Sequence, residues 1–432
     1  MDYARLVRHY LSQWITFLLT AVPPRSRGTF VELLCGCMIS PEGWVTRVIG
    51  AITRTKHWTT YFKLIERGSI RTLALARATL SLAIKIQADE EIPKGIAKVV
   101  NLTIDDFLTM RHSKNAPASI VHHDHAKRVN RPTYVLSQNW VVLGINIWNH
   151  TFPVLCRLVP ATGNSNKLKI AESLLRGLAY VLRGHQVRVL FDSWFMRARL
   201  VLPLLARKMS VIAQARIDTA LFLEPLKVKS HARGRPRKYG QKLTREVVDA
   251  LPATEMTFSL YGKVQKVRLR SILAKVRFLN GLIVSAVWSE IFDDDKKSWG
   301  KRHLLLATET NLDAQMIILL YARRWGIESL IHNLKRWWGI NNLWQQSRRV
   351  LECWMQIRLM AWTLAQLLVH VVEHFPILAV APWRIGQPLT GGLVAQWMRM
   401  EFTGLQFRYG LAPKSPKFTF PVERGDPRLQ FG

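Results

Sequence analysis

The stretch 321–339, YARRWGIESLIHNLKRWWG, decides how the rest of the chain is read. Read as a helix, it turns about 100° per residue, which brings Tyr321, Arg324, Glu328 and Lys335 inside an arc of roughly 60°. Ile327, Leu330, Leu334 and Trp337 fall on the opposite side. One face therefore buries apolar surface, while the other aligns a phenol, a guanidinium, a carboxylate and an ammonium. A solvated face has no need of a tyrosine in that stripe. A face that holds a metal ion beside a phosphate uses all four groups.

Composition points to a polyanionic partner. Lys and Arg number 62 against 29 Asp and Glu, a formal charge of +33. Solubility alone asks for a magnitude of only about 2–8 in a small domain. Nucleic acid is the first candidate and an anionic membrane the second. The membrane reading fails on length, because no apolar run reaches the ~18 residues of a spanning helix. The longest candidates, 14–22 and 367–383, are short or interrupted by His370, Glu373 and His374. Arg5, Arg8 and His9 precede a short apolar stretch with no small-residue cleavage site, so a secretory signal is not expected. The four cysteines, Cys35, Cys37, Cys156 and Cys353, form no CxxC pair and read as thiols in a reducing, cytoplasmic compartment.

Residues 1–113 read as an all-helical N-terminal domain for DNA binding or assembly, with apolar residues at three- and four-residue spacing (Leu6, Tyr10, Leu11, Trp14, Phe17). Trp44, Arg47, Thr53, Arg54 and Thr55 offer a basic helix–turn–helix face there. The pattern changes near Ala118. Residues 119–123, 140–148, 151–158, 186–191 and 210–215 read as strands, with helices over 168–183 and 199–208. That order predicts an α/β fold with a mixed sheet over 114–216. Residues 217–308 follow as a β-rich insertion that opens on a basic Gly/Pro arm and presents Arg268 and Arg270 on one face of an alternating strand. Residues 309–345 return as the helix quoted above, and 346–432 as a helical C-terminal region with a tail.

Three carboxylates stand out by position. Asp124 and Asp192 each end a hydrophobic strand, and Glu328 lies on the polar face of the helix. Ligands of an open α/β sheet collect beyond its strand ends. Hard oxygen donors in this number suit two Mg²⁺ ions, or Mn²⁺, working in an in-line displacement at phosphorus. Each Asp taken alone reads better as a strand-end cap or turn former; it is their conjunction with Glu328 in a basic chain that points to metal. Asp105 and Asp106 are the alternatives to Asp124, though their flanks read as helix or loop.

Tyr321, Arg324, Glu328 and Lys335 match in full a tyrosine, arginine, glutamate and lysine at fixed spacing, which resembles the YREK motif of insertion-sequence-four type bacterial DDE transposases. Asp192 in VLFDSWFMRARL resembles that family's second acidic strand, and Asp124 in SIVHHDHAKR its first. ARIDTALF, the GRPRK arm and the strands after it resemble its β-insertion, so the resemblance spans roughly 119–345. It implies a ribonuclease-H-like core and Mg²⁺-dependent cutting at transposon ends through a DNA hairpin, followed by joining to target DNA. It also implies a homodimer on paired double-stranded ends. Tyr321, Arg324 and Lys335 would hold phosphates beside metal ligands Asp124, Asp192 and Glu328. Trp288, in the insertion, takes the place of an aromatic that stacks on a flipped base, although a Trp alternating with Leu282, Val284 and Ala286 is more often a core residue.

Other signals are weaker. The cluster His122, His123, Asp124, His125 suggests zinc, but lacks a second Cys/His pair. Arg233, Arg235, Arg237 and Lys238 (RGRPRK) resemble the core of an A·T-hook, and equally a basic loop touching phosphates. Trp325, Trp337 and Trp338 read as packing residues. A transposase-derived DNA-binding protein without chemistry, or another Mg²⁺ nuclease of the same fold, remain the competing functions.

Overall fold

The computed structural model describes residues 3–88, 99–111, 113, 115–124, 132–148, 150–161, 165–225, 237–260, 262–372, 381–384 and 389–402. Five helices come first: α1 (Tyr3–Leu18), α2 (Arg27–Ile39), α3 (Val45–Gly50), α4 (Trp58–Arg67) and α5 (Thr72–Ala88). In α1, Val7, Leu11, Trp14, Ile15 and Leu18 are buried. They recur at the spacing of one helical face.

The helical stretch ends before residue 113, where the sequence reading had carried it. Residues Val99–Met110 form a 12-residue strand, β1. Its polar residues hid it. Asn101, Thr103 and Thr109 interrupt the apolar pattern, yet all three are buried. Thr103 donates to Asn146, and Thr109 accepts from the Trp140 indole at 3.0 Å. A buried polar side chain is tolerated where a partner awaits it, and those partners lie on another strand.

Next come β2 (Ile120–His123), β3 (Tyr134–Ile147), β4 (His150–Leu158), α6 (Ser165–Leu178), β5 (Gln186–Phe191), α7 (Ala198–Ala206) and β6 (Met209–Ala215). β3 runs antiparallel to β1 on one edge, and to β2 and β4 on the other. β5 lies parallel to β1, and β6 parallel to β5. The centre of the sheet is therefore β3-β1-β5-β6, with β1 beside the strand that leads to Asp192.

The sheet then continues without a break. β7 (Leu221–Phe222), α8 (Arg245–Asp249), β8 (Thr254–Leu260), β9 (Lys263–Val276), β10 (Leu282–Asp293), β11 (Ser298–Trp299) and β12 (His303–Ala307) follow β6 in the chain, and β12 pairs antiparallel with β6. The β-rich segment is thus hydrogen-bonded onto the core, forming one 12-stranded mixed sheet.

The chain closes through α9 (Ala314–Ala322), a 3-10 turn at Arg323–Trp325, α10 (Gly326–Trp337), α11 (Arg348–Val371) and α12 (Gly391–Phe402). Among the described residues no helix is long and apolar enough to cross a membrane. α11 is buried nearly throughout and packs on β4, α2 and α12. Arg358 in its middle is wholly buried. Its guanidinium donates to the carbonyls of Trp338, at the end of α10, and Ser40, at the end of α2. Beside that bridge the backbones of Gly43 and Gly339 touch. A Cβ on Gly43 would lie 2.0 Å from the Gly339 oxygen, and Gly339 has φ +56°. Only glycine fits either place. The helical layer is thereby bolted to the end of α10.

Candidate active site

Site geometry begins with the parallel pair β1 and β5. Thr103 stands opposite Leu190. Two residues further along each strand come Asp105 and Asp192, so strand register brings these carboxylates to one place. Asp192 lies just past β5, and its Oδ1 accepts the backbone N–H groups of Trp194 (3.0 Å) and Phe195 (3.3 Å), which fixes its turn. α10 crosses this end of the sheet. Arg324, in the 3-10 turn before α10, donates from Nη1 to Asp105 Oδ2 at 3.1 Å and from Nη2 to Glu328 Oε1 at 2.5 Å. One guanidinium fork joins two carboxylates 223 positions apart in number, Asp105 and Glu328.

Electrostatics follow from burial. Desolvation pushes the Asp105 carboxyl up to about 7, with Arg324 pulling it down and the Asp192 charge pushing it further up. Asp192 is raised by burial as well, and held back by the Phe195 N–H and Arg324. Burial opposes the Arg324 charge, but Tyr321, Asp105 and Glu328 outweigh it and hold the guanidinium above its usual range.

Asp105, Asp192, Arg324, Glu328 and Lys335 line one cavity of about 1070 Å³. Asp106, Lys167 and Trp194 line it too. Lys167, from α6, pairs with Asp106 at 2.7 Å and sits 4.7 Å over the Trp194 ring. Sequence reasoning missed Lys167, and nothing in its local pattern marks it.

Asp124 enters from another strand. It follows β2 on the outer side of β3, with β3 and β1 between it and β5. Its backbone N–H donates to Thr133 O at 2.7 Å. Asp124 lines the same cavity, as do His122 and His123. The carboxylate that shares Arg324 with Glu328 is that of Asp105. The sequence reading took 119–123 as the first core strand, whereas β1 precedes it in the chain.

Three more expectations change. Tyr321 is not on the helix that carries Glu328. It belongs to α9, the 3-10 turn intervenes, and the ring is only 8% exposed. Its hydroxyl donates to Gln214 at 3.4 Å and its ring lies 5.8 Å from the Arg324 guanidinium, so it backs the arginine from within the core. Trp288 is 5% exposed and packed in the core, leaving no ring face for a base. Arg268 and Arg270 do not form a free basic face. Both pair with Glu290, at 2.9 and 3.2 Å, and Arg302 approaches the same carboxylate at 3.4 Å.

Of the flanking tryptophans, Trp338 is buried as expected, while Trp325 and Trp337 are 44% and 38% exposed. Arg237 and Lys238 are exposed. Arg233, Arg235 and His125 lie outside the described residues. All four cysteines are free and buried.

Among the described residues, no three His, Cys, Asp or Glu side chains already stand together as a metal cage. The donors nonetheless fit a hard dication. Two desolvated carboxylates, both raised toward protonation by burial, line one cavity, and a divalent ion would relieve that cost.

Buried acids at the end of a mixed sheet, beside an arginine and a lysine, are the kind of arrangement that serves phosphoryl transfer. Residues 142–364 match the family model described as "Transposase DDE domain". The match covers more than half of the 432 residues, and the chain belongs to that family. Membership implies DNA binding and DNA transposition. No curated protein matches the chain. The matched span takes in Asp192, Arg324, Glu328 and Lys335, and begins after both Asp105 and Asp124.

Proposed function

We propose that this protein is a DNA transposase of the insertion-sequence-four, YREK type, with a ribonuclease-H-like core, cutting transposon ends and joining them to target DNA as a dimer on paired ends. The carrying observation is the junction of Asp105, Arg324 and Glu328, in one cavity with Asp192, Lys167 and Lys335. The strand order β3-β1-β5-β6 supports the core assignment, and the charge of +33 supports the substrate.

Asp105, Asp192 and Glu328 are the residues that would hold divalent ions, Mg²⁺ or Mn²⁺, with Asp105 taking the role first given to Asp124. Bound there, such ions supply an activated oxygen nucleophile and stabilise the leaving oxygen. The chain's own groups do the rest. Asp105 must give up its proton to serve as a ligand. Arg324 and Lys335 bind and orient phosphate beside the acids, the arginine through a planar fork. Tyr321, behind Arg324, holds that fork in place, and Gln214 links the tyrosine to the cavity. Lys167 neutralises Asp106 and sits against Trp194, keeping the second carboxylate of β1 out of the ligand set.

The test is Mg²⁺-dependent cleavage of labelled DNA from the ends of the element that encodes the chain, followed by joining of the cut ends to a target. Cleavage without joining would assign the site to another nuclease of this fold. DNA binding without cleavage would make the protein a non-catalytic derivative.

A further inference from the structure

A second groove lies apart from the acids. It is lined by Trp44, Phe62, Arg67, Trp344, Gln345 and Val350, and encloses about 670 Å³. That is within the range of small-ligand pockets, roughly 300–1,000 Å³. Its aromatic walls are open to solvent: Trp344 is 58% exposed and Trp44 37%. Trp58, 49% exposed, extends the surface by edge contact with Phe62 at 5.8 Å. Large exposed aromatics gathered in one place mark a binding surface rather than a packing need.

Three observations say what it binds. The first is polarity. Gln345 Oε1 is buried in the groove wall without a hydrogen-bond partner among the described residues. Such an acceptor awaits a donor, and the exocyclic amino groups of bases are donors. The second is charge. Arg67 lines the groove, Arg349 is anchored beside it through Gly68 O at 2.9 Å, and Glu66 is the acid in the lining. With a chain charge of +33, a second copy is repelled and a polyanion attracted. The third is continuity. The loop after α10 gives Asn341 to the catalytic cavity and Trp344 to the groove. Three residues span at most about 11 Å, so a strand leaving the cavity meets the groove at once.

We propose that this groove is a stacking site for an unpaired base of the DNA strand that runs out of the catalytic cavity, with Trp344 as the platform, Trp44 and Phe62 as walls, and Gln345 as the acceptor for a base amino group. The proposal rests on the transposase reading for the direction of the strand, but not for the existence of the site. Base–aromatic stacking tolerates sequence, so the site grips the strand without reading it.

The experiment uses the full chain and a short single-stranded oligonucleotide carrying one 2-aminopurine, without metal. Stacking on Trp344 should quench the probe and strengthen binding about tenfold over that of Trp344→Ala. Trp344→Tyr should keep most of the quenching, and Gln345→Leu should weaken binding several-fold without abolishing it. Circular dichroism checks the fold, which an exposed side chain leaves undisturbed. Equal quenching and affinity in wild type and Trp344→Ala overturns the proposal. So does a metal- and DNA-free dimer that Trp344→Ala dissociates, because the groove then belongs to a second copy. Quenching that depends on Trp344 in a protein that never cleaves transposon ends would sink the transposase reading and leave the groove standing.

Discussion

Arg324 and Asp105, 219 positions apart, meet at 3.1 Å, and the same guanidinium reaches Glu328 at 2.5 Å. The arginine is only 14% exposed and Asp105 16%. An ion pair this sheltered is not the weak surface kind. Breaking it from one side leaves a charge stranded. The pair ties β1 to the turn that leads into α10.

This relationship ranks the acids. Asp105→Ala, Asp192→Ala and Glu328→Ala should each lower single-turnover cleavage by at least about a thousandfold while sparing DNA binding, since on the proposed mechanism each removes a ligand of ions that stabilise the transition state. Asp124→Ala, on the outer side of β3, should cost less than about tenfold. Loss of cleavage in Asp124→Ala with activity kept in Asp105→Ala would restore the first assignment.

Arg324 should be double-edged. In Arg324→Ala the two carboxylates lose their resident cation, so Mn²⁺ should bind about tenfold more tightly, close to 1.4 kcal/mol. Processing of a pre-bound end should nonetheless slow by about a hundredfold, because the phosphate loses its bidentate donor. Arg324→Lys should recover little. Titration of Mn²⁺ by electron paramagnetic resonance, alongside single-turnover kinetics, measures both effects. Weaker Mn²⁺ binding in Arg324→Ala would refute the first.

Proton linkage gives a third expectation. Asp105 sits at about 7 in the fold, against roughly 3.9 in an unfolded chain. Between these values the native metal-free protein holds a proton that the unfolded chain has lost. Its stability should therefore fall as pH rises from about 4 to about 7, and level off above. Divalent-metal affinity should run the other way, rising with pH through about 7. Calorimetry in two buffers of different ionisation enthalpy should detect up to one proton released on Mg²⁺ binding near pH 6. Asp105→Asn should abolish that release; an unchanged release would mean the proton comes from another group.

The bolt between the helical layer and α10 is testable by a single methyl. In Gly43→Ala the new Cβ would lie 2.0 Å from the Gly339 oxygen, and backbone must shift. The cost should be about 2–3 kcal/mol, read as a drop in the denaturant midpoint. Because α10 carries Glu328, metal affinity should fall as well. Gly50→Ala, where a Cβ meets nothing within 4 Å, is the control.

What the sequence determined by itself was local. The period of α10 put Ile327, Leu330 and Leu334 in the core and left Glu328 and Lys335 toward the cavity. The apolar run QVRVLF announced a buried strand with an acid at its end. The charge announced nucleic acid. Periodicity reports burial one element at a time, and these elements bury one kind of surface.

Tertiary structure decided the rest, because it depends on which strands are neighbours. β1 pairs on both edges and hides Asn101, Thr103 and Thr109 by hydrogen-bonding them across the core, so its sequence carries no clean strand period. That is why Asp105 was second choice to Asp124. Trp288 carries a correct strand pattern in β10, but only packing shows its ring to be enclosed. Arg268 and Arg270 alternate as surface residues do, until Glu290 from the neighbouring strand claims both. A side chain's chemistry is written in its own residue, while its partner and its exposure are set by chain segments far away in the sequence.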